Sequence, residues 1–298
     1  MTILNRESDG MHGQVIALAA VAAKYGPIDK TELLTACSVH GNMGRLRAAL
    51  ARWLEFGLFT EESGKIKLNI ERKRGAPLEA VLDTLPTICR RLVLQEQHCL
   101  PLTVTGEAIT EKGGGRAADF ARGLSWALAQ DIYNLPDSAK GIEALEGPQV
   151  NGDLAIFQND TRWPGLRPWA RYLGFATGEK DFLFDPTEAV RSELSTILGV
   201  GESMAATVFL DELSDKIPVL DGGTYRQEVE ANLRQETWRK PAEGHLSMSL
   251  SIALRRLELN GSIALETKSD SGSVVKLTGR NYRTWTSFTH VRMSGGRA

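Results

Sequence analysis

The chain has 298 residues, 42% of them hydrophobic and 24% charged, with a formal net charge of −2, a composition ordinary for a soluble globular protein of two or three small domains. No apolar run approaches the roughly 18 residues that a membrane span needs, and the start "MTILNRESDGMHG" lacks the apolar stretch of a secretory signal. Three irregularly spaced cysteines, Cys37, Cys89 and Cys99, support neither a disulfide framework nor a zinc site, so the expectation is a cytoplasmic protein with idle thiols.

Charge is unevenly spread. Residues 1–74 hold eleven Lys/Arg against eight Asp/Glu, net +3; residues 238–298 hold ten against four, net +6; the stretch between is left at −11. Basic ends around an acidic centre imply two kinds of partner surface. A solvated surface with no partner fits the same counts.

In chain order, "GQVIALAAVAAKYG" (Gly13 to Gly26) predicts a helix that ends at glycine. Asp29, with Glu32 three residues on, predicts a capping box for a second helix. A third runs from Asn42 to Phe56, with Met43, Leu46, Leu50, Trp53 and Leu54 on one face. Gly57 stops it. Then "LFTEE" and "KIKLNI" flank Ser63-Gly64, which predicts a hairpin. Three helices and a hairpin are the winged helix-turn-helix arrangement.

The middle reads as helical: Gly113 to Tyr133, a helix opened by Asp185-Pro186 and running through Val190, Leu194 and Leu198, then Glu202 to Lys216 and Thr224 to Trp238. Within it, "RPWARYLGFATGEKDFLFD" (Arg167 to Asp185) allows a third winged unit, with Gly174 as the break. A helix, a loop and a single strand explain it equally. Linkers are expected at 70–77 and 143–153, where charge mixes with Gly and Pro.

Near the end, "LSMSLSIALRRLELNGSIALETKSDSGSVVKLTGR" (Leu246 to Arg280) repeats the opening grammar. A helix carries Leu250, Ala253, Leu254 and Leu257 on one face. Gly261 stops it, and "SIALET" and "SVVKLT" predict a hairpin turning at "KSDSG". The fold class expected is therefore mainly α with small β-hairpin wings, in tandem winged helix-turn-helix modules. The boundaries expected are 1–74 and 238–298 for winged ends, 75–160 for a helical region and 161–237 for a helical region with room for the third unit.

Chemistry is sparse. In "EKGGGRAADF" Lys112 precedes the glycines and Arg116 follows them, which is not the order of a phosphate-binding loop. Asp221 in "VLDGGTYR" reads as a turn residue that helps to start the next helix. None of the five histidines stands four residues from another, and no nucleophile motif is present. No catalytic residue, metal or cofactor is expected.

Binding residues are easier to name. If the third helix enters a major groove, Asn42, Arg45, Arg47 and Arg52 face DNA, with Lys65 and Lys67 on the wing. At the other end the candidates are Arg255, Arg256, Lys268, Lys276, Arg280 and Arg283, with His245, Ser247, Ser249 and Ser251 as donors to phosphate. The aromatic and arginine run Thr161 to Phe175 reads as a core face rimmed by arginines rather than a stacking platform for single strands.

Several segments together, "MTILNRESDGM", "LRAALARWLEFGLF", "FLFDPTEAV", "IPVLDGGTYRQEVE" and "LSMSLSIALRRLELNGSIALE" through "THVRM", resemble the DpdG family. The resemblance extends over nearly the whole chain and brings no catalytic motif with it. It implies a component of bacterial clusters that place 7-deazapurine derivatives in DNA and restrict unmodified DNA. It also implies helicase-like and ATPase partners and foreign DNA as the target. The function expected is a non-catalytic DNA-binding or adaptor subunit, with no membrane association. A protein-interaction scaffold, a transcriptional regulator and an enzyme are the alternatives.

Overall fold

The computed structural model of the protein describes residues 3–4, 12–39, 43–70, 77–103, 115–269 and 273–295. The first helix, α1 (His12–Tyr25), buries Val15, Leu18, Ala19 and Ala22, one face at helical spacing. A short strand that the sequence did not announce, β1 (Ile28–Asp29), leads into α2 (Lys30–Cys37). Asp29 caps α2 by accepting from the backbone N–H groups of Thr31 at 2.8 Å and Glu32 at 3.2 Å. Helix α3 (Met43–Glu55) buries Leu46, Ala49, Leu50 and Trp53. It ends at Gly57, whose φ of 80° is open to glycine at little cost.

Strands β2 (Phe59–Glu62) and β3 (Lys65–Leu68) then form the expected hairpin. Ser63 and Gly64 both take positive φ, as a two-residue hairpin turn requires. β3 is the middle strand, with β1 on its other edge.

The middle of the chain is helical: α4 (Leu78–Val93), α5 (Glu96–Cys99), α6 (Ala118–Ala129), α7 (Ala139–Gln149) and α8 (Arg162–Tyr172). Residues 143–149 lie inside α7 despite Gly147 and Pro148, so the linker expected there is a helix end. α6 buries nearly every side chain, and α5, α8 and α11 (Thr224–Ala231) pack on it. After Gly174, β4 (Ala176–Thr177) and β5 (Leu183–Phe184) pair antiparallel, so the third helix–glycine–hairpin is present. In the aromatic and arginine run Thr161 to Phe175, Trp163, Trp169 and Phe175 are buried, as a core face requires.

The last third holds α9 (Thr187–Ile197), β6 (Ser203–Ala205), α10 (Ala206–Lys216), α11, α12 (Met248–Leu259), β7 (Ile263–Glu266), β8 (Val275–Thr278), β9 (Thr284–Phe288) and β10 (His290–Met293). Two predicted helices shorten here: Glu202 to Lys216 opens as strand β6, and Thr224 to Trp238 stops at Ala231. Asp185 accepts from the Thr187 N–H at 3.1 Å at the start of α9, although Pro186, expected as the first helical residue, is the N-cap and Asp185 stands one residue ahead of it.

The expected hairpin between "SIALET" and "SVVKLT" does not form. β7 pairs with β10, and β8 pairs with β9. The reason is anchorage. Lys276 exchanges backbone bonds with Gly244 (2.8 Å) and Leu246 (3.0 Å), which fixes β8 beside the segment that leads into α12. β10 then returns to take the free edge of β7, in a sheet ordered β6-β10-β7.

Buried apolar side chains from Ile3 to Val291 form one connected cluster. A buried ion pair also links the middle to the end. Arg90 on α4 meets Glu193 on α9 at 2.9 Å and donates to the Leu173 carbonyl at 3.0 Å.

Candidate nucleic-acid interface

Successive residues on a helix advance by about 100°. With Leu46, Ala49, Leu50 and Trp53 turned inward, the outward face of α3 falls on Gly44, Ala48, Ala51 and Glu55. Arg45 and Arg52 then line one flank, and Arg47 the other, about 160° round the axis. Arg45 and Arg47 are exposed, and Arg52 is half-buried. Glu55, at the end of that face, pairs with Arg116 at 2.6 Å; the stretch before it is small at Gly44, Ala48 and Ala51, with arginines on both sides, and can sit between two lines of phosphate. Asn42 lies outside the described residues.

The wing is less basic than its lysines imply. Lys65 stands opposite both Glu62 and Asp29, and Lys67 opposite Thr60. Glu61 pairs with Lys30 at 2.9 Å. Both lysines are exposed, but Glu61 and Glu62 offset their charge.

At the other end the candidates divide. Arg255 pairs with Glu258 on its own helix, and Arg256 with the buried carboxylate of Asp185. Arg256 therefore fastens the end of α12 to the start of α9. Lys268 donates to the Ser203 hydroxyl at 3.0 Å. Lys276 lies on β8, half-buried, while Arg280 and Arg283 stand exposed at the tip of the β8–β9 hairpin.

The serines at the start of α12 are not open to a phosphate. Ser247 donates to Asp221 at 2.6 Å, Ser249 donates to the Leu128 carbonyl at 2.7 Å, and Ser251 accepts from the Thr278 N–H at 2.8 Å. All three are buried. His245 is held by the Thr284 hydroxyl at 3.0 Å. Asp221 thus holds Ser247, the N-cap of the last helix, from 26 residues away, and it also meets Arg226 on the next helix at 3.9 Å. An acid that holds a cap residue from so far away gives no local signal.

Residues that sequence reasoning passed over gather at the same hairpin. The Arg239 guanidinium lies 3.8 Å from the Tyr282 ring centroid, and Trp285 is 41% exposed. The one available signal was the lack of any acidic residue between 273 and 288.

Burial keeps the thiols protonated, most of all at the enclosed Cys89 and Cys99. Burial pushes the Cys99 thiol up to about 12, and it raises Cys89 and Cys37 as well. Among the described residues no three His, Cys, Asp or Glu side chains gather as metal ligands would, and no helix is long and apolar enough to cross a membrane.

No curated protein and no solved structure matches the chain. The sequence model of the DpdG-like family matches residues 1–271. That span holds every helix described above and the wing of the first unit. The chain therefore belongs to the DpdG-like family.

Proposed function

We propose that this protein is a non-catalytic subunit that holds DNA, or presents it to partner proteins, in a bacterial DNA-modification and restriction system. The observation that carries the reading is α3, with a smooth outer face between Arg45 and Arg47. Membership of the DpdG-like family supports the defence setting, including helicase-like or ATPase partners and 7-deazapurine-bearing DNA.

The reading includes tandem winged-helix units. The sheet orders β1-β3-β2 and β6-β10-β7 support it. In each, a strand before the second helix pairs with the returning wing strand, and the helix before the wing ends at a glycine. On this view the last unit begins at α9, and β8–β9 is inserted in its wing. The hairpin β4–β5 closes a shorter unit between them.

Duplex binding measured against salt tests the proposal. The wild type should bind at low salt and weaken steeply as salt rises, through counterion release. R45E/R47E should lose most of that binding. Unchanged duplex affinity in this variant would remove α3 from the contact surface.

A second reading, a scaffold that binds only proteins, has one specific observation behind it: a wing with as many acids as lysines. It predicts no shift of any duplex or single strand at low salt. A transcriptional regulator would instead need a dimer on a palindromic site.

A further inference from the structure

We propose that the β8–β9 hairpin, and not α12, is the nucleic-acid surface of the C-terminal third, and that it holds an unpaired strand. This rests on the DNA-holding function proposed above and names the form of nucleic acid that this region takes. Helix α12 occupies the place in its unit that α3 occupies in the first, yet it has no free face. Every residue from Met248 to Leu254 is buried. α6 and α9 pack on it, as do β7 and β8. Its last turn is open, but Arg255 and Arg256 are committed there to Glu258 and Asp185. A helix covered in this way cannot enter a groove.

The hairpin that covers it carries what the helix lacks. Lys276, Arg280 and Arg283 are its charged residues, and no acid lies between 273 and 288. Arg239 adds a fourth cation, stacked on Tyr282.

The tip is pre-shaped. Asn281 and Tyr282 both take left-handed φ, near 60°, and the Gly279 N–H donates to the Arg283 carbonyl at 2.7 Å. A surface that is already ordered loses less entropy on binding.

Trp285 decides between duplex and single strand. The register runs Leu277 to Thr286 and Thr278 to Thr284, which leaves Trp285 as the extra residue of a β-bulge. Bulges re-aim side chains. The indole rests on Gly279, where a Cβ would fall 1.8 Å from the ring nitrogen. It is held in place, yet 41% exposed, whereas Trp53, Trp126, Trp163, Trp169 and Trp238 are all buried. An open indole on a hairpin that also carries Arg280 and Arg283 offers a stacking face for a base, with donors for its phosphates on the same element. Bases inside a duplex are already stacked, so an unpaired strand fits this surface better.

The same tryptophan makes the test clean. The full chain is titrated with an oligothymidine strand and with a mixed-sequence duplex, and tryptophan fluorescence and affinity are read together. The single strand should quench the wild type. The quench should vanish in W285A, and single-strand affinity should fall about tenfold there and further in R280E/R283E. R45E/R47E should keep the quench while it loses duplex affinity. Wild-type single-strand affinity in both hairpin variants, with duplex binding still sensitive to Arg45 and Arg47, would overturn this inference and leave the proposed function standing. Absence of binding to either nucleic acid by the wild type would overturn both.

Discussion

Ser294 donates its backbone N–H to the carbonyl of Ser262 at 3.0 Å. Ser262 directly follows Gly261, and Ser294 directly follows β10. The same bond joins Asn69 to Leu58 at 2.8 Å and Asp185 to Phe175 at 3.0 Å. At each place the residue after the glycine also donates back five residues, Leu58 to Trp53, Phe175 to Ala170 and Ser262 to Leu257. One cap geometry thus recurs three times, and at the third place β10 is the strand that pairs back on the strand after the glycine.

The three glycines should differ in their tolerance of alanine. All take φ between 75° and 86°, where a side chain costs about 1 kcal/mol or more. At Gly57 and Gly261 an added Cβ meets nothing else, but at Gly174 it would lie 2.8 Å from the Ala189 backbone nitrogen. In urea denaturation G174A should lower the midpoint well beyond G57A and G261A. Equal midpoints would show that α9 yields freely at Ala189.

Glu193 should govern acid stability. Burial alone would raise its carboxyl, but Arg91 and Arg90 together hold it below the ordinary carboxylate range. A depressed folded value means a stabilising contribution that is present above the unfolded value and is lost as pH falls through the folded one. The wild type should lose stability as pH drops below about 4, and E193Q should lose less over that window. At neutral pH E193A should cost about 3–5 kcal/mol, because it leaves Arg90 buried without its counter-charge.

Asp221 should prove structural. It accepts from both the Ser247 N–H and its hydroxyl, each at 2.6 Å, at the amino end of α12. D221A should destabilise the fold by about 1–2 kcal/mol, read as a shift in thermal midpoint. Little or no shift would mean that water replaces the carboxylate beside Ser247.

The thiols should react in order of burial. Cys37 is half-buried, while Cys89 and Cys99 are enclosed. An aromatic disulfide reagent at neutral pH should modify Cys37 first and the other two only on unfolding. Fast modification of all three in the native protein would contradict the packing around α4 and α5.

The sequence by itself determined what depends on near neighbours in the chain. The helix α1, the face of α3, the Asp29 cap, the Ser63-Gly64 turn and the three glycine stops were all legible, because propensity, periodicity, capping and left-handed φ act within a few residues. Tertiary structure alone decided which strands pair. "SIALET" and "SVVKLT" read as a hairpin, but a strand edge accepts any partner of suitable register, and Lys276 was held elsewhere. It also decided that the serines of α12 face inward. A serine is silent about burial until a partner is supplied, and here the partners came from Asp221, Leu128 and Thr278, between 26 and 121 residues away. Arg256 and Trp285 follow the same rule. Local pattern gave Arg256 its helix, but a long-range contact set it as a clasp on Asp185; the strand that carries Trp285 had no local reading, and its pairing with β8 left the indole open to solvent.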